Sequence, residues 1–484
     1  MTDDTFERRL DGRLVASMVA AGSLSFSAVV FETAMNVAMP TLMSEFGVGT
    51  ATVQWITSGY LLTLAACIPT FSFLKARFPM RALFVTAVAL FTAGALASGL
   101  APAFWVLLAG RLLQGVGTGI ALPLMFNIVV DQVPYDKTGM MMGFATMITS
   151  IAPAIGPSYG GLIMSVASWR MVFLSFLPLL LAALVMGGLC IRQATRLTRP
   201  SFDAVGFALL CVAFFSLIFG INSASGLGWA HPRVVGLLAA CVVACALFCV
   251  RSLRSPSPLI NVRAFCVPGF TTCVLAVAGV AFMILGFAYI IPNFGQLALG
   301  ADTTTAGILL LPGSIANAVF AVIGGRLLDR HGPVVPVTAG ALVLLASCSL
   351  FAASGDRLDV GSLIGYYTLF GVGEGLAFSN LMTVGLRRLP AADRTDGNSI
   401  FNTLQQLGGS VGVSVVTTVV AASQAGSADL AASTAAGGER AFAVLAVVSA
   451  AVLALSVAGL ALLRRRAASP ASQSLVTRKE NSNA

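Results

Sequence analysis

The chain of 484 residues is 57% hydrophobic and only 10% charged, with a formal net charge of +9 and a mean hydropathy of +0.92. A soluble domain carries about 25% charged residues, so a water-facing globular enzyme is excluded. Apolar stretches of about 20 residues recur from end to end and predict an all-α polytopic membrane protein; without period-2 alternation in ten-residue segments, an outer-membrane barrel is excluded as well.

Fourteen spans are predicted in chain order. The first, 14–39, is too long for a signal-peptide core and runs into Pro40 rather than a cleavage site, so it reads as a retained span. It carries Glu32 and Asn36. The second, 51–73, opens on Gln54 and Trp55, contains Tyr60 and leaves through the basic turn Leu74–Arg81. Spans follow at 82–101, at 104–130 with Arg111, Gln114 and Asn127, at 139–165, and at 169–190 opening on Trp169 and Arg170. Spans 204–222 and 233–250 come next; the second holds a stripe of Cys241, Cys245 and Cys249. With no His or carboxylate beside them, these cysteines read as packing residues rather than metal ligands. The last six lie at 269–291 with Asn293 just beyond, 304–325, 334–353, 361–386 with Glu374, 398–421 with Gln405 and Gln406, and 441–463.

Of the 28 Lys and Arg residues, 23 fall in the termini and in loops on one side of this plan. By the positive-inside rule that side is cytoplasmic, with both termini on it. The positive charge therefore reads as a topology signal and an attraction to anionic lipid, with no nucleic-acid partner implied. The basic turn after span 2 and the turn Gly325–Gly332 after span 10 correspond. Spans 1–6 then match spans 9–14, and spans 7–8 form an insert. The expected units are a tail 1–13, a six-helix bundle 14–190, a two-helix insert with its loops 191–264, a second bundle 265–463 and a tail 464–484.

Span 5 contains Ala-Pro153-Ala-Ile-Gly156-Pro157-Ser-Tyr-Gly160-Gly161. Two prolines remove backbone donors and bend the helix, while glycines four apart let another backbone approach. On its own this run reads equally as a packing kink. Ionisable residues within a span are expensive and call for a function or a partner, and three are clearly internal: Glu32, Arg111 and Glu374. Glu32 and Arg111 lie at similar depths, which predicts a direct or water-bridged pair across spans 1 and 4. Burial and a neighbouring guanidinium pull a carboxylate's proton affinity in opposite directions, so such a pair suits proton coupling; a structural ion pair is the alternative. Glu374 sits in Gly371-Val-Gly373-Glu374-Gly375, whose glycines are expected to open space beside it. It reads as a second proton site, a contact for a cationic substrate, or a carboxylate bonded to Ser, Thr or Asn on a neighbouring span. Asn36, Gln54, Trp55, Gln114, Asn127, Asn293, Gln405 and Gln406 are candidates to line a substrate cavity or to bond helices together.

The residues Arg111-Leu-Leu-Gln114-Gly115-Val-Gly117-Thr-Gly119 resemble motif B of the major facilitator superfamily, the run 152–161 resembles its motif C, and 325–332 resembles its motif A. Together with Gln54-Trp55, Tyr60, Trp169-Arg170 and the run from Asn402 to Gly409, they resemble the fourteen-span drug:proton antiporter branch. Glu32-Thr-Ala-Met-Asn36-Val-Ala-Met-Pro40 is similar to motif D with the acid displaced by one, as in lincomycin-resistance exporters. The resemblance implies two six-helix bundles plus two inserted helices that export amphipathic drugs or metabolites across a bacterial cell membrane in exchange for protons. It implies no cofactor beyond the proton gradient, and partners limited to the substrate, protons and lipid, with the protein as a monomer. It also implies that Pro153, Gly156, Pro157, Gly160 and Gly161 face the partner bundle as hinge and seal, and that Gly325, Asp329, Arg330 and Gly332 form a cytoplasmic gating loop. The first copy of that loop departs from the pattern at Ala76 and Pro79, leaving a charge relay only through Asp329 and Arg330. Export or symport of a single metabolite is the second reading. An enzyme or receptor is the reading of another class, opposed by two loop histidines, His231 and His331, and no nucleophile or metal constellation.

Overall fold

The computed structural model describes residues 10–53, 55–195, 197–198, 200–255, 258–301, 303–424 and 429–467, over which the regular structure is helical with no strand. We number the long helices α1 Gly12–Phe46, α2 Trp55–Arg77 (with a 3-10 turn at Ile68–Thr70), α3 Met80–Gly99, α4 Phe104–Gln132, α5 Thr138–Val166, α6 Arg170–Cys190 and α7 Ala204–Leu227. The remainder are α8 Pro232–Arg254, α9 Pro268–Leu297, α10 Leu311–His331, α11 Val334–Ser354, α12 Val360–Arg388, α13 Arg394–Gln424 and α14 Leu430–Ala467. Among the described residues thirteen segments are long and apolar enough to cross a membrane, and α5, a helix of 29 residues, stands between the fourth and sixth helices.

Local chemistry sets several ends. Asp11 caps α1 by accepting from the Leu14 N–H at 2.8 Å. The helix then runs through Pro40, past the predicted end at 39, and stops at Gly47. There a left-handed φ of 61° turns the Gly47 N–H onto the Met43 carbonyl, a conformation that suits glycine. Asp359 and Ser362 form a capping box at the start of α12, which satisfies backbone donors that the helix leaves free. The last helix continues to Ala467, beyond the predicted 463.

The packing repeats with an offset of eight helices. α1 lies on α5 and α6, α2 on α4, and α3 on α4 and α6; α9 lies on α13 and α14, α10 on α12, and α11 on α12 and α14. Each bundle has an aromatic centre: Phe31 against Phe91, Phe173 and Phe176 in the first, and Phe287 against Phe351, Phe370 and Phe442 in the second. The insert is the hairpin α7–α8. Its α7 touches both α2 and α13, while α8 packs mainly on α7. Cys245 and Cys249 are consequently exposed, so the stripe expected to be packed faces outward with Val242, Val243 and Leu247.

The bundles meet through α5 with α10 and α2 with α13. The hydrogen bonds described between them cluster toward one side, the basic face, where the loops after α2, α4, α10 and α12 lie.

Candidate functional site

The first bundle is built around α4. A Cβ on Gly115 would lie 2.9 Å from the Tyr60 carbonyl, one on Gly119 would strike Cys67, and one on Gly117 would lie 2.7 Å from the Ala87 carbonyl. Three glycines therefore wedge α4 between the backbones of α2 and α3. That closeness buries Arg111 completely. Its Nη1 donates to Gln114 Oε1 at 2.5 Å, its Nε to the Ile56 carbonyl at 3.4 Å, and its guanidinium lies 4.3 Å over the Tyr60 ring. Tyr60 is locked in turn, its hydroxyl donating to Thr118 Oγ1 at 3.1 Å and reaching the Ala28 carbonyl at 3.5 Å.

Glu32 is half-buried on α1, within electrostatic reach of both Arg111 and Tyr60. The preceding Phe31 fills the aromatic centre of the bundle, so a one-residue step, about 100° around a helix, turns Glu32 away from that centre. Of the direct or water-bridged pair expected, no direct contact is made. Tyr60, Gln114 and Ile56 hold the guanidinium, whereas Arg111 Nη2 and Gln114 Nε2 are buried with no hydrogen-bond partner. Sequence reasoning noticed Tyr60 but missed it as the residue on which Arg111 rests.

The second bundle repeats the frame with other cargo. Gly371-Val-Gly373-Glu374-Gly375 stands where Gly115-Val-Gly117-Thr118-Gly119 stands in the first. A Cβ on Gly371 would strike the Gly313 carbonyl, one on Gly375 would lie 2.6 Å from the Asn317 carbonyl, and one on Gly373 2.7 Å from the Leu344 nitrogen. The glycines thus seat α10 and α11 and do not open space beside Glu374, contrary to expectation. Glu374 is 7% exposed and accepts from Asn317 Nδ2 at 2.6 Å. The Asn317 Oδ1 is buried without a partner. Tyr367 occupies the place of Arg111, and Gly313, packed under its ring, the place of Tyr60.

The run in α5 also departs from expectation. A Cβ on Gly156 would strike Thr33, and one on Gly160 would lie 3.0 Å from the Ala34 carbonyl, so both glycines face α1 of their own bundle. They seat α5 on the turn that carries Glu32. Gly161 has open space and Pro153 is exposed; the side chains of Pro157 and Asn36, and all of Gln54, lie outside the described residues. The partner bundle is met at the other end of α5. There Gly139 lies against Gly325, Gly143 against Ala321, and Asp329 accepts from the Gly139 and Met140 N–H groups at 2.9 and 2.8 Å. A carboxylate at a helix N-terminus is favoured by its free donors and dipole. Arg387 pairs with Asp329 at 3.3 Å. Arg330, the expected relay partner, is instead exposed, because one step around the helix from Asp329 turns it out of the seam. Gly332 takes φ 77° and ends α10.

At the corresponding seam of α2 and α13, where the first loop lacks its acid, a buried cation takes over. Lys75 Nζ lies 2.5 Å from Asp131 and donates to Asn127 Oδ1 at 3.0 Å and, across the seam, to Thr395 Oγ1 at 2.8 Å. Asn398 Nδ2 donates to the Pro123 carbonyl at 3.0 Å, and Ser72 and Ser399 share a hydrogen bond of 3.2 Å. Asn127 is therefore a seam residue, not a cavity residue. Lys75 and Asp131 were missed; the absence of an acid at Ala76 was the available signal.

The other cavity candidates scatter. Trp55 packs on Phe219 of the insert, ring centroids 5.5 Å apart. Gln114 is committed to Arg111. Asn293 donates to the Tyr289 carbonyl of its own helix at 2.7 Å, and Gln405 and Gln406 are half-buried on α13. On the face opposite the basic one, Trp169 Nε1 and Arg170 Nη1 donate to Glu45 at 2.6 and 2.7 Å. These bonds, the Trp169 indole first, hold the Glu45 carboxyl below its ordinary range. Among the described residues no group of His, Cys, Asp and Glu is placed to hold a metal ion.

Known proteins resemble this chain in sequence and in fold. The chain is 34% identical to the lincomycin resistance protein LmrB of Bacillus subtilis over 414 residues, 85% of this chain and 86% of that protein. It is 28% identical to the multidrug resistance protein Stp of Mycobacterium tuberculosis (strain H37Rv), over 84% of this chain and 76% of that one. The crystal structure of the human organic anion transporter MFSD10 (TETRAN) superposes with a TM-score of 0.66 at 15% identity, covering 93% of this chain and all of that one, a likeness of fold. Residues 21–413 match the profile of the Major Facilitator Superfamily, and the chain belongs to that family.

Proposed function

We propose that this protein exports amphipathic drugs or metabolites in exchange for protons, using alternating access between its two bundles. Its family and its drug-resistance relatives support export. One observation carries the proton: a half-buried carboxylate, Glu32, stands near a fully buried guanidinium that has a free donor yet does not bond it. In this arrangement Arg111 rests on Tyr60 and Gln114 and leaves Glu32 free to hold a proton. A shift of α1 against α4 brings the carboxylate onto Arg111 Nη2, and the ion pair so formed expels the proton. No cofactor enters this cycle; the proton gradient supplies the energy.

α5 connects the two events. One end is capped by Asp329 of the partner bundle, and its Gly156–Gly160 face is seated on the Glu32 turn. Opening the basic face releases that end and lets α5 move against α1, so the Pro153–Gly161 run serves as a hinge against α1. Glu374 acts as a second proton site. Its enclosure by Asn317, α10 and α11 admits a proton, whereas an organic cation has no room beside it. Gln405 and Gln406 remain candidates to line the substrate path. The basic face, with both termini, is cytoplasmic in a bacterial cell membrane, and the protein works as a monomer.

The test is efflux of a cationic dye from intact cells and from proteoliposomes. A protonophore is expected to collapse efflux from cells, and acidifying the side opposite the basic face is expected to drive export from liposomes. Dye export indifferent to both refutes proton exchange.

A further inference from the structure

The insert touches more than lipid. We propose that α7–α8 is a strap that ties the two walls of the α2–α13 seam together and holds the basic face closed; this rests on the alternating-access reading above. On the α2 side, the linker before α7 donates its Thr198 N–H to the Ala76 carbonyl at 2.9 Å, and Phe202 packs against Phe73 with ring centroids 5.0 Å apart and the rings tilted by 60°. The same linker is anchored to the first bundle, where Gln193 Oε1 accepts from the Met80 N–H at 2.8 Å and the Arg192 carbonyl accepts from Gln132 at 3.2 Å.

On the α13 side, the linker after α8 presents Asn261. Its N–H donates to Asp396 Oδ2 at 2.9 Å and its Nδ2 to Asp393 Oδ1 at 3.3 Å. The two linkers are joined at the base of the hairpin, where buried Asp203, the cap of α7, takes Arg251 of α8 at 3.2 Å. Ser252 then ties α8 to its own linker by donating to the Ile260 carbonyl at 2.6 Å.

A continuous chain of contacts thus runs from α2 through the insert to the first turn of α13. Those contacts serve the seam that lacks the motif-A acid, and the α5–α10 seam is held by Asp329 instead. Separating α2 from α13 requires breaking one end of the strap, so its strength biases the closed state.

Spin labels at Arg77→Cys and Ala391→Cys, in a full-length background without native cysteines, report the seam width in lipid nanodiscs. Asn261→Ala and Arg251→Ala are expected to raise the ratio of wide to narrow distances about threefold or more, as loss of one or two hydrogen bonds allows. Arg251→Lys, which keeps a cation for Asp203, is expected to restore most of the narrow population. If Arg251→Ala fails to fold, Asp393→Ala combined with Asp396→Ala, which removes both acceptors of Asn261, cuts the strap at its α13 end and is read the same way. A distance distribution unchanged in these variants overturns the strap. The distances are read without drug or pH gradient, so failure of proton exchange would leave this result standing.

Discussion

The α2–α4 pair of the first bundle and the α10–α12 pair of the second share one glycine frame and carry opposite charges within it. In the first, Thr118 bonds Tyr60, and Tyr60 supports Arg111. In the second, Glu374 takes the place of Thr118, Tyr367 that of Arg111, and Gly313 that of Tyr60. Backbone closeness is thus common to both bundles, while ionisable chemistry is distributed between them. The fixed cation sits in one bundle and an enclosed carboxylate in the other, so the two are expected to answer differently to substitution.

The largest effects should come where the frame itself is broken, and there the bundles should agree. Gly115→Leu and Gly371→Leu each drive a side chain into a neighbouring backbone, and loss of both transport and folded yield is expected, measured by dye efflux and monodispersity after purification. Gly156→Leu should also lose transport, because Thr33 on the Glu32 turn occupies the space its side chain needs. Normal transport by Gly156→Leu would remove the close-packing basis of the hinge.

Next in size is the cation. Arg111→Lys keeps the charge but loses the planar stack on Tyr60 and the fork that reaches Gln114 and Ile56 together. Efflux is expected to drop about tenfold or more while expression holds; Tyr367→Phe, at the corresponding place, should stay near wild type. Asn317→Ala removes the donor to Glu374 and should cost about 1–3 kcal/mol of stability, as removal of a buried hydrogen-bond partner does, read as a lowered melting temperature.

The smallest expected effect lies at Glu45. Its folded carboxyl titrates below the unfolded one because of Trp169 and Arg170. The stability it contributes is therefore fully present above an ordinary value near 4.5 and fades as pH falls through the lower folded value. With solvent screening of a partly exposed group, Glu45→Gln should cost no more than about 1 kcal/mol at neutral pH. The gap to wild type should close in acid, and a gap that widens there would contradict the sign.

Much of the fold was legible because lipid imposes it: apolar runs of fixed length set the spans. Glu32, Arg111 and Glu374 stood out for the cost of placing charge in a membrane. Their partners were harder to read, since contacts between helices depend on which turn faces which neighbour. Gly156 and Gly160 illustrate this: their spacing announced a close approach, yet it does not say whether the partner is α1 or the other bundle. Asp329 likewise chose Arg387 over its sequence neighbour Arg330. The repeat of Gly115-Val-Gly117 and Gly371-Val-Gly373 was available in the sequence and would have paired α4 with α12 and predicted the closed space around Glu374. Lys75 was hidden by its loop, where a basic residue ordinarily signals only sidedness.

In the cycle proposed above, Glu32, poised beside Arg111, carries the coupled proton. That role is tested most directly by counting protons moved per dye exported in proteoliposomes under an imposed pH gradient, for wild type, Glu32→Gln and Glu374→Gln. Glu32→Gln is expected to fold and express normally but to show no gradient-driven export, while Glu374→Gln keeps gradient-driven export with fewer protons moved. Wild-type proton movement and export by Glu32→Gln would contradict the account.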